Sequence, residues 1–381
     1  MIANRHVNRR DMIRSLVCGS VLLPGIVEQA VTAGDRSIPG QAKRIIFIYL
    51  PGGVSHVDSF DPKPRLTADE GKPVSDRHPG AARYLASRWN FQRGGKCGTR
   101  VSDLFPNIRE CMDDICLIRS MHGDHDDHFQ AALALHSGSI EPSLGSWVAH
   151  RLGTANPNLP AFAVLAPELP YAGNRIWSSE FLPRCHSGAR VSVDDGTLPE
   201  AMDFSNETNA TLALYGLPRG STEGFAWQCL MARRLAERGV RFIELIDVGS
   251  HNNWDAHLDM GTHESLARNV DRPIAGLIKD LKSRGLLDDT LVVWTTEFGR
   301  SPATVVANGR DHHAAAFSSW LAGGGIKGGT VHGKTDEYGR SIIEDPVHIR
   351  DFQATLLHQL GLDHSQYSAT RPGRVVRALL A

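Results

Sequence analysis

The stretch LVVWTTEFGRSPATVVANGRDHH, residues 291–313, decides how this chain is read. Its first six residues are too few for a helix and rich in β-branched and aromatic side chains, which predicts a strand buried on both faces of a parallel sheet. The run ends on a carboxylate, Glu297, and an Asp311-His312-His313 cluster follows. In open α/β sheets ligands sit beyond the carboxyl ends of the strands. Glu297 is therefore expected to supply the first ligand of a site.

Working outward, the same grammar recurs. IIFIYL (45–50) reads as a central strand, and Pro51-Gly52-Gly53 ends it in a loop that throws Ser55, His56 and Asp58 forward. DDICLIRSM (113–121) reads as a second strand, followed by HGDHDDHFQAALALHSG, with a helix over 129–135 that Gly138 is placed to stop. Residues 224–250 form a helix-then-strand unit: Ala226, Leu230, Arg233/Arg234 and Glu237 keep a helical period, Gly239 breaks it, and 242–246 is the strand. Residues 271–297 repeat it, with Pro273 suited to a helix start and Gly285 to its stop. VHIRDFQATLLHQLGL adds an amphipathic helix. Alternation of this kind predicts an α/β fold, a mostly parallel sheet sandwiched by helices. Residues 42–381 are read as a single domain with irregular insertions at about 61–100 and 166–222, the second an insertion or cap beside the site.

Composition narrows the function. With 41% hydrophobic and 22% charged residues the chain is an ordinary globular protein, and a net charge of -1 argues against nucleic acid as a partner. Residues 1–33 carry Arg9-Arg10, a moderately apolar stretch and Val-Thr-Ala, the order of an export signal of the twin-arginine type. A periplasmic or secreted protein is expected. The apolar stretch, interrupted by Pro24, is too short for a stable membrane span. Cys97, Cys111, Cys116, Cys185 and Cys229 follow the signal without a CxxC pair, which excludes a zinc ribbon; Cys111 and Cys116 read as buried core residues.

Eighteen histidines cluster rather than scatter. Four strand ends carry metal-ligand chemistry: SHVD, MHGDHDDH, GSHNNWDAH and EFGR…GRDHH. They nominate His56, Asp58, Asp255, His257, Glu297, His312 and His313 as ligands of a divalent ion, with zinc, manganese or calcium as candidates. A mixed His and carboxylate set suits zinc, manganese or iron better than all-oxygen calcium coordination. Asp255 and His257, two apart, share one face of an extended segment. His125 and His128, three apart, share a face if the helix starts early, and His128 is a candidate ligand, general base or nucleophile. Arg300 and Arg310 are candidates to neutralise an anionic ester.

Three motifs mislead. GGTVHGKT (328–335) matches a phosphate loop but is followed by turn and extended chain rather than a helix. HESLA at His263 has no second histidine for a zincin, and CHSGAR at Cys185 is one residue short of a phosphatase loop.

The motifs LPGGVSHVDSFDPKP, LIRSMH, SLGSWVAHRLG, LPAFAVL, QCLMARRLAERGVRF, GLLDDTLVVWTTEFGRSP, GRDHH, WLAGGGIKGGTVHGKTDEYG and PVHIRDFQATLLHQLGLDH follow one another from about Lys43 to His364. In this order they resemble the secreted bacterial family known as domain of unknown function fifteen-oh-one, often labelled sulfatase. The resemblance implies an alkaline-phosphatase-like three-layer sandwich with a metal-centred hydrolytic site. It matches Glu297 to a metal-binding Asp, Asp255 and His257 to the middle Asp and His ligands, and His312 or His313 to a late metal histidine. Phe298 stands where a second metal site would have its His. His128 stands where sulfatases keep the residue that becomes formylglycine, and no Cys-x-Pro-x-Arg is present. The expectation is an exported metal-dependent hydrolase of a small anionic ester or a sulfated or phosphorylated glycan, not of the formylglycine type. The alternative is a non-catalytic anion- or sugar-binding protein on the same fold.

Overall fold

The structure, a computed structural model, describes residues 38–74, 82–137, 141–191, 199–304, 306–368 and 372–381. The segment 1–33 read as an export signal and Gly138 lie outside these residues. One central sheet takes its strands from most of the chain: β1 (Arg44–Tyr49), β2 (Ile115–His122), β3 (Phe162–Leu165), β4 (Ala189–Arg190), β5 (Phe242–Ile246), β6 (Thr290–Thr295), β7 (Phe317–Ala322), β8 (Thr330–His332) and β9 (Val347–His348). Their order is β8-β2-β7-β6-β1-β5-β3-β4, with β9 also beside β2. Only β7 runs antiparallel to its neighbours, so the sheet is mostly parallel, as expected.

Alternation along the strands builds two cores. Ile46, Ile48, Val292 and Trp294 face α3 (Phe225–Glu237) and α4 (Thr262–Ser283). Ile45, Phe47, Leu291 and Val293 face α1 (His128–His136), α2 (Leu144–Leu152) and α5 (Ile349–Gln359). The result is a three-layer α/β sandwich. Each such side chain taken from water contributes roughly 1.5–3 kcal/mol, which is why these short strands need no polar face. Cys111 and Cys116 are buried in these cores as free thiols. No helix of the described residues is long and apolar enough to cross a membrane.

Two local expectations are corrected. Pro273 does not open a helix: α4 begins at Thr262 and runs through Pro273. Proline removes the hydrogen bond to the carbonyl one turn back, but the apolar stripe Ala267, Val270, Ile274, Leu277, Ile278 and Leu281 continues across it. Burial of that stripe outweighs one lost bond. Helix α1 starts at His128, not earlier: the Asp127 carboxylate accepts from the Gln130 backbone N–H at 3.0 Å and caps it. His125 therefore precedes the helix and does not share a helical face with His128. The phosphate-loop look-alike enters β8 and a two-stranded ribbon of Lys334–Thr335 with Ile342–Glu344, without a helix.

The register places the site. Tyr49 lies opposite both Ile246 and Thr295, so β1, β5 and β6 end at one level. Met121 at the end of β2 pairs with Phe317 at the start of β7. Loops 50–58, 123–127, 247–261 and 296–316 thus leave the same edge of the sheet.

Candidate metal centre

The loop after β1 is built on glycine. Gly52 (φ +112°) and Gly53 (φ +81°) adopt backbone that L side chains rarely hold, and a Cβ on Gly52 would lie 2.5 Å from the Trp254 nitrogen. The absence of side chains lets this loop press on residues 253–255 and turn the Gly52 N–H onto Glu297 Oε1 at 2.8 Å. Glu297 is fully enclosed. Its Oε1 also accepts from His128 Nδ1 at 2.7 Å, and its Oε2 accepts from the Thr296 hydroxyl at 3.1 Å. Toward these three donors Glu297 acts as acceptor only.

That bond fixes the tautomer of His128. With Nδ1–H spent on Glu297, Nε2 presents a lone pair; it is buried, carries no hydrogen bond, and lies 3.4 Å from Asp255 Oδ2. The same reasoning applies to two more rings. His312 Nδ1 donates to the Asp126 carbonyl at 2.5 Å, leaving its Nε2 3.4 Å from Asp255 Oδ1. His257 Nδ1 lies 3.3 Å from Asp311 Oδ1, leaving its Nε2 3.0 Å from Asp255 Oδ1 and 2.9 Å from His312 Nε2. Ligand atoms of His128, Asp255 and His312 all lie within 4.8 Å of one another, and His257 joins them through Asp255 and His312. Lone pairs and a carboxylate repel one another unless positive charge sits between them. Rings whose outer nitrogen is held by a carboxylate or carbonyl while the inner nitrogen faces a shared carboxylate have the arrangement of metal-binding histidines. The residues fit a divalent ion.

Electrostatics agree. Burial lowers the pKa of His128, but Asp255 and Glu297 outweigh it and the ring titrates above its usual range. Burial likewise opposes the charge on Asp255, yet His128, His312 and Arg300 hold its carboxyl far below the usual range. The position attracts positive charge.

The structure does not gather every residue nominated by the sequence. Asp255, His257 and His312 converge, and His128 joins them. Glu297 stands behind His128 instead of beside the others. Arg300 is fully buried and spent: Nε donates to the Gly53 carbonyl at 3.0 Å, Nη1 to the Arg310 carbonyl at 3.0 Å, and Nη2 to the Gly52 carbonyl and to Asp255 Oδ1. It clamps Asp255. Arg310 is equally consumed, by Asp58 through Nε at 2.7 Å and Nη2 at 3.2 Å and by the carbonyls of Leu85 and Ser301. Asp58 is thereby committed to Arg310 and to the Ser55 hydroxyl at 2.5 Å, not to the His cluster. His56 bonds the Gly339 carbonyl and His313 the Arg340 carbonyl, each at 2.8 Å, and their rings stack in a separate layer. His125 is exposed and lines a cavity of about 520 Å³ on the outer side of α1 with Phe129, Arg175 and Arg350.

Two contributors were not singled out from sequence. Tyr171 stacks on His128 with centroids 4.0 Å apart and planes at 4°. Asn253 bonds the Tyr171 hydroxyl. Asn253 lay inside the GSHNNWDAH cluster, a signal that was available; Tyr171 lies in the aperiodic insertion, where none was.

A sheet edge of this kind defines an α/β protein with a histidine-and-carboxylate cluster that could hold a metal ion. The chain belongs to the family described as Protein of unknown function (DUF1501), whose profile matches residues 42–198 and 189–378. That is the family its motifs resemble. Among curated proteins no sequence match is found. Similar solved structures include Ps i-CgsB, at 12% identity over 87% of this chain and 75% of that one, TM-score 0.45. Another is a Vibrio parahaemolyticus protein in the alkaline phosphatase superfamily, at 12% identity over 94% and 76%, TM-score 0.41. A third is the PsFucS1 sulfatase from Pseudoalteromonas sp., at 12% identity over 98% and 76%, TM-score 0.42.

Proposed function

We propose that this chain is an exported hydrolase of phosphate or sulfate esters that works with one divalent ion held by His128, Asp255, His257 and His312. The observation that supports it is the convergence of three imidazole Nε2 atoms on Asp255, each ring anchored through its other nitrogen. An ion bound there supplies Lewis-acid polarisation of an ester oxygen. Glu297 holds His128 in the binding tautomer, Arg300 fixes Asp255, and the buried Phe298 excludes water from one side. His128 then serves as a ligand, and with its nitrogens committed it is neither base nor nucleophile. The donor set argues for zinc, manganese or iron over calcium.

One observation favours the rival reading. Four protein donors complete a tetrahedral shell, which is the mark of a structural zinc site; an ion that prefers five or six positions leaves room for an ester. Metal analysis of the purified chain, beside a broad panel of phosphate and sulfate esters assayed with each ion, tests both. Stoichiometric metal with turnover supports the hydrolase. Stoichiometric metal without turnover under any ion leaves a non-catalytic anion- or sugar-binding protein, and no metal at all removes the proposal.

A further inference from the structure

A site for a phosphate or sulfate ester must meet the non-bridging oxygens of a tetrahedral anion. The two arginines nearest the centre cannot do this. Arg300 and Arg310 are fully buried, and four of the five N–H donors of each are held by carbonyls, Asp255 or Asp58. Some other donor has to face the anion.

Tyr171 has the required properties. Its ring lies flat on His128, 4.0 Å between centroids. Its oxygen is oriented by Asn253, and the orientation of that amide is fixed. Asn253 Oδ1 accepts from the Asp255 backbone N–H at 2.8 Å, so Nδ2 is the donor, to the Ser250 carbonyl at 2.9 Å and to Tyr171 Oη at 2.5 Å. Tyr171 Oη is thus an acceptor toward Asn253 and keeps its own proton to give. Among the described residues nothing accepts that proton.

Resting on the metal-site reading above, the geometry points to Tyr171 as the residue that hydrogen-bonds a non-bridging oxygen of a tetrahedral oxyanion bound at the His128–Asp255–His257–His312 centre. Stacking sets the distance of its hydroxyl from the centre, and Asn253 sets its direction. The segment between β3 and β4 therefore supplies a substrate contact, beyond the cap expected of it.

The probes are inorganic phosphate and inorganic sulfate, titrated calorimetrically into the full metal-loaded chain. Tyr171→Phe keeps the stacked ring and deletes only the donor. A hydrogen bond to a charged group corresponds to roughly ten- to hundredfold in affinity, so phosphate or sulfate binding should weaken by about that factor while metal content is unchanged. Asn253→Ala, which frees the phenol to rotate, should weaken it by a few-fold. A metal-replete Tyr171→Phe protein that binds both anions as the parent does overturns the inference alone. Loss of metal from Tyr171→Phe also overturns it, because the ring would then be serving His128. A metal-replete parent that binds neither anion overturns it together with the ester as substrate, and a parent without metal removes the reading on which it rests.

Discussion

Glu297 shows how much one carboxylate can do without touching an ion. It closes three hydrogen bonds, from Gly52, His128 and Thr296, and through His128 it sets which imidazole nitrogen faces Asp255. Outer partners of this kind typically change metal affinity by 10–100-fold. Glu297→Gln keeps an acceptor for Nδ1 but loses the charge, so chelator competition should show a weakening of about that size with the fold intact; unchanged affinity would detach Glu297 from the centre. Asp58 and Arg310 give the contrasting case. They form a buried, doubly bonded ion pair in which burial opposes the charge of Asp58 but Arg310 holds its carboxyl below the usual range. Removing one partner of such a pair costs about 3–5 kcal/mol, whereas removing both recovers much of it. Arg310→Met should lower the urea midpoint sharply, and Asp58→Asn with Arg310→Met should restore part of the loss. Metal stoichiometry of the folded fraction should stay at the parent value in both, since neither side chain belongs to the converging set.

At the scale of elements, what could be read from sequence is what local physics determines. The strands β1, β2, β5 and β6 were legible because short β-branched runs buried on both faces have few other solutions, and their ends gave Asp255, His257 and His312. The start of α4 was not, because a buried stripe carries the helix through Pro273 against the local preference of proline. Nor was the role of Glu297: position at a strand end says which loop a carboxylate enters, not whether it faces the ion or the ring behind it. Arg300 and Arg310 were misplaced for the same reason, since a guanidinium near an anion site and one consumed by carbonyls look alike in sequence. Pro-Gly-Gly was read as a chain turn, and the structure adds a second demand, close backbone approach. Gly52→Ala would place its Cβ 2.5 Å from the Trp254 nitrogen at φ +112° and disturb the bond to Glu297. It should lower both thermal stability and metal affinity. Gly285→Ala, at φ +67° with nothing within 4 Å, meets backbone strain alone, so its cost should stay near 1 kcal/mol with metal affinity unaffected. Equal metal loss in the two variants would mean that the Gly52 contact is not specific to the centre.

At the scale of the whole molecule, two buried groups near this sheet edge make stability depend on pH in opposite directions. His263 is completely buried and accepts from the Ser55 backbone N–H at 3.3 Å, and burial lowers its pKa to about 3. Unfolded, the ring would titrate near 6.5. Between those values the unfolded chain binds more protons, so the contribution of His263 is fully present above about pH 6.5 and fades as pH falls toward 3. Asp247, at the end of β5, accepts from Trp254 Nε1 at 3.2 Å and Asn269 Nδ2 at 2.9 Å, yet burial raises its pKa to about 7. Its unfolded value lies near 3.9. Here the folded chain binds the extra proton, so the contribution is full below about pH 4 and is lost as pH rises through 7. Each shifted pKa unit corresponds to about 1.4 kcal/mol, so from pH 4 to 6.5 the two slopes largely cancel. Single variants should uncover them. Asp247→Asn keeps one acceptor oxygen, for Trp254 or for Asn269 but not both, and cannot ionise, so beyond a pH-independent loss its urea midpoint should gain on the parent steadily from pH 4 to 7 and level off above. His263→Gln retains an acceptor for Ser55 and cannot be protonated, so its midpoint relative to the parent should improve as pH falls from 6.5 toward 4. Midpoints measured at half-unit steps at constant ionic strength decide the matter: differences from the parent that stay flat across pH 4–7 would show that neither group changes its proton occupancy on folding.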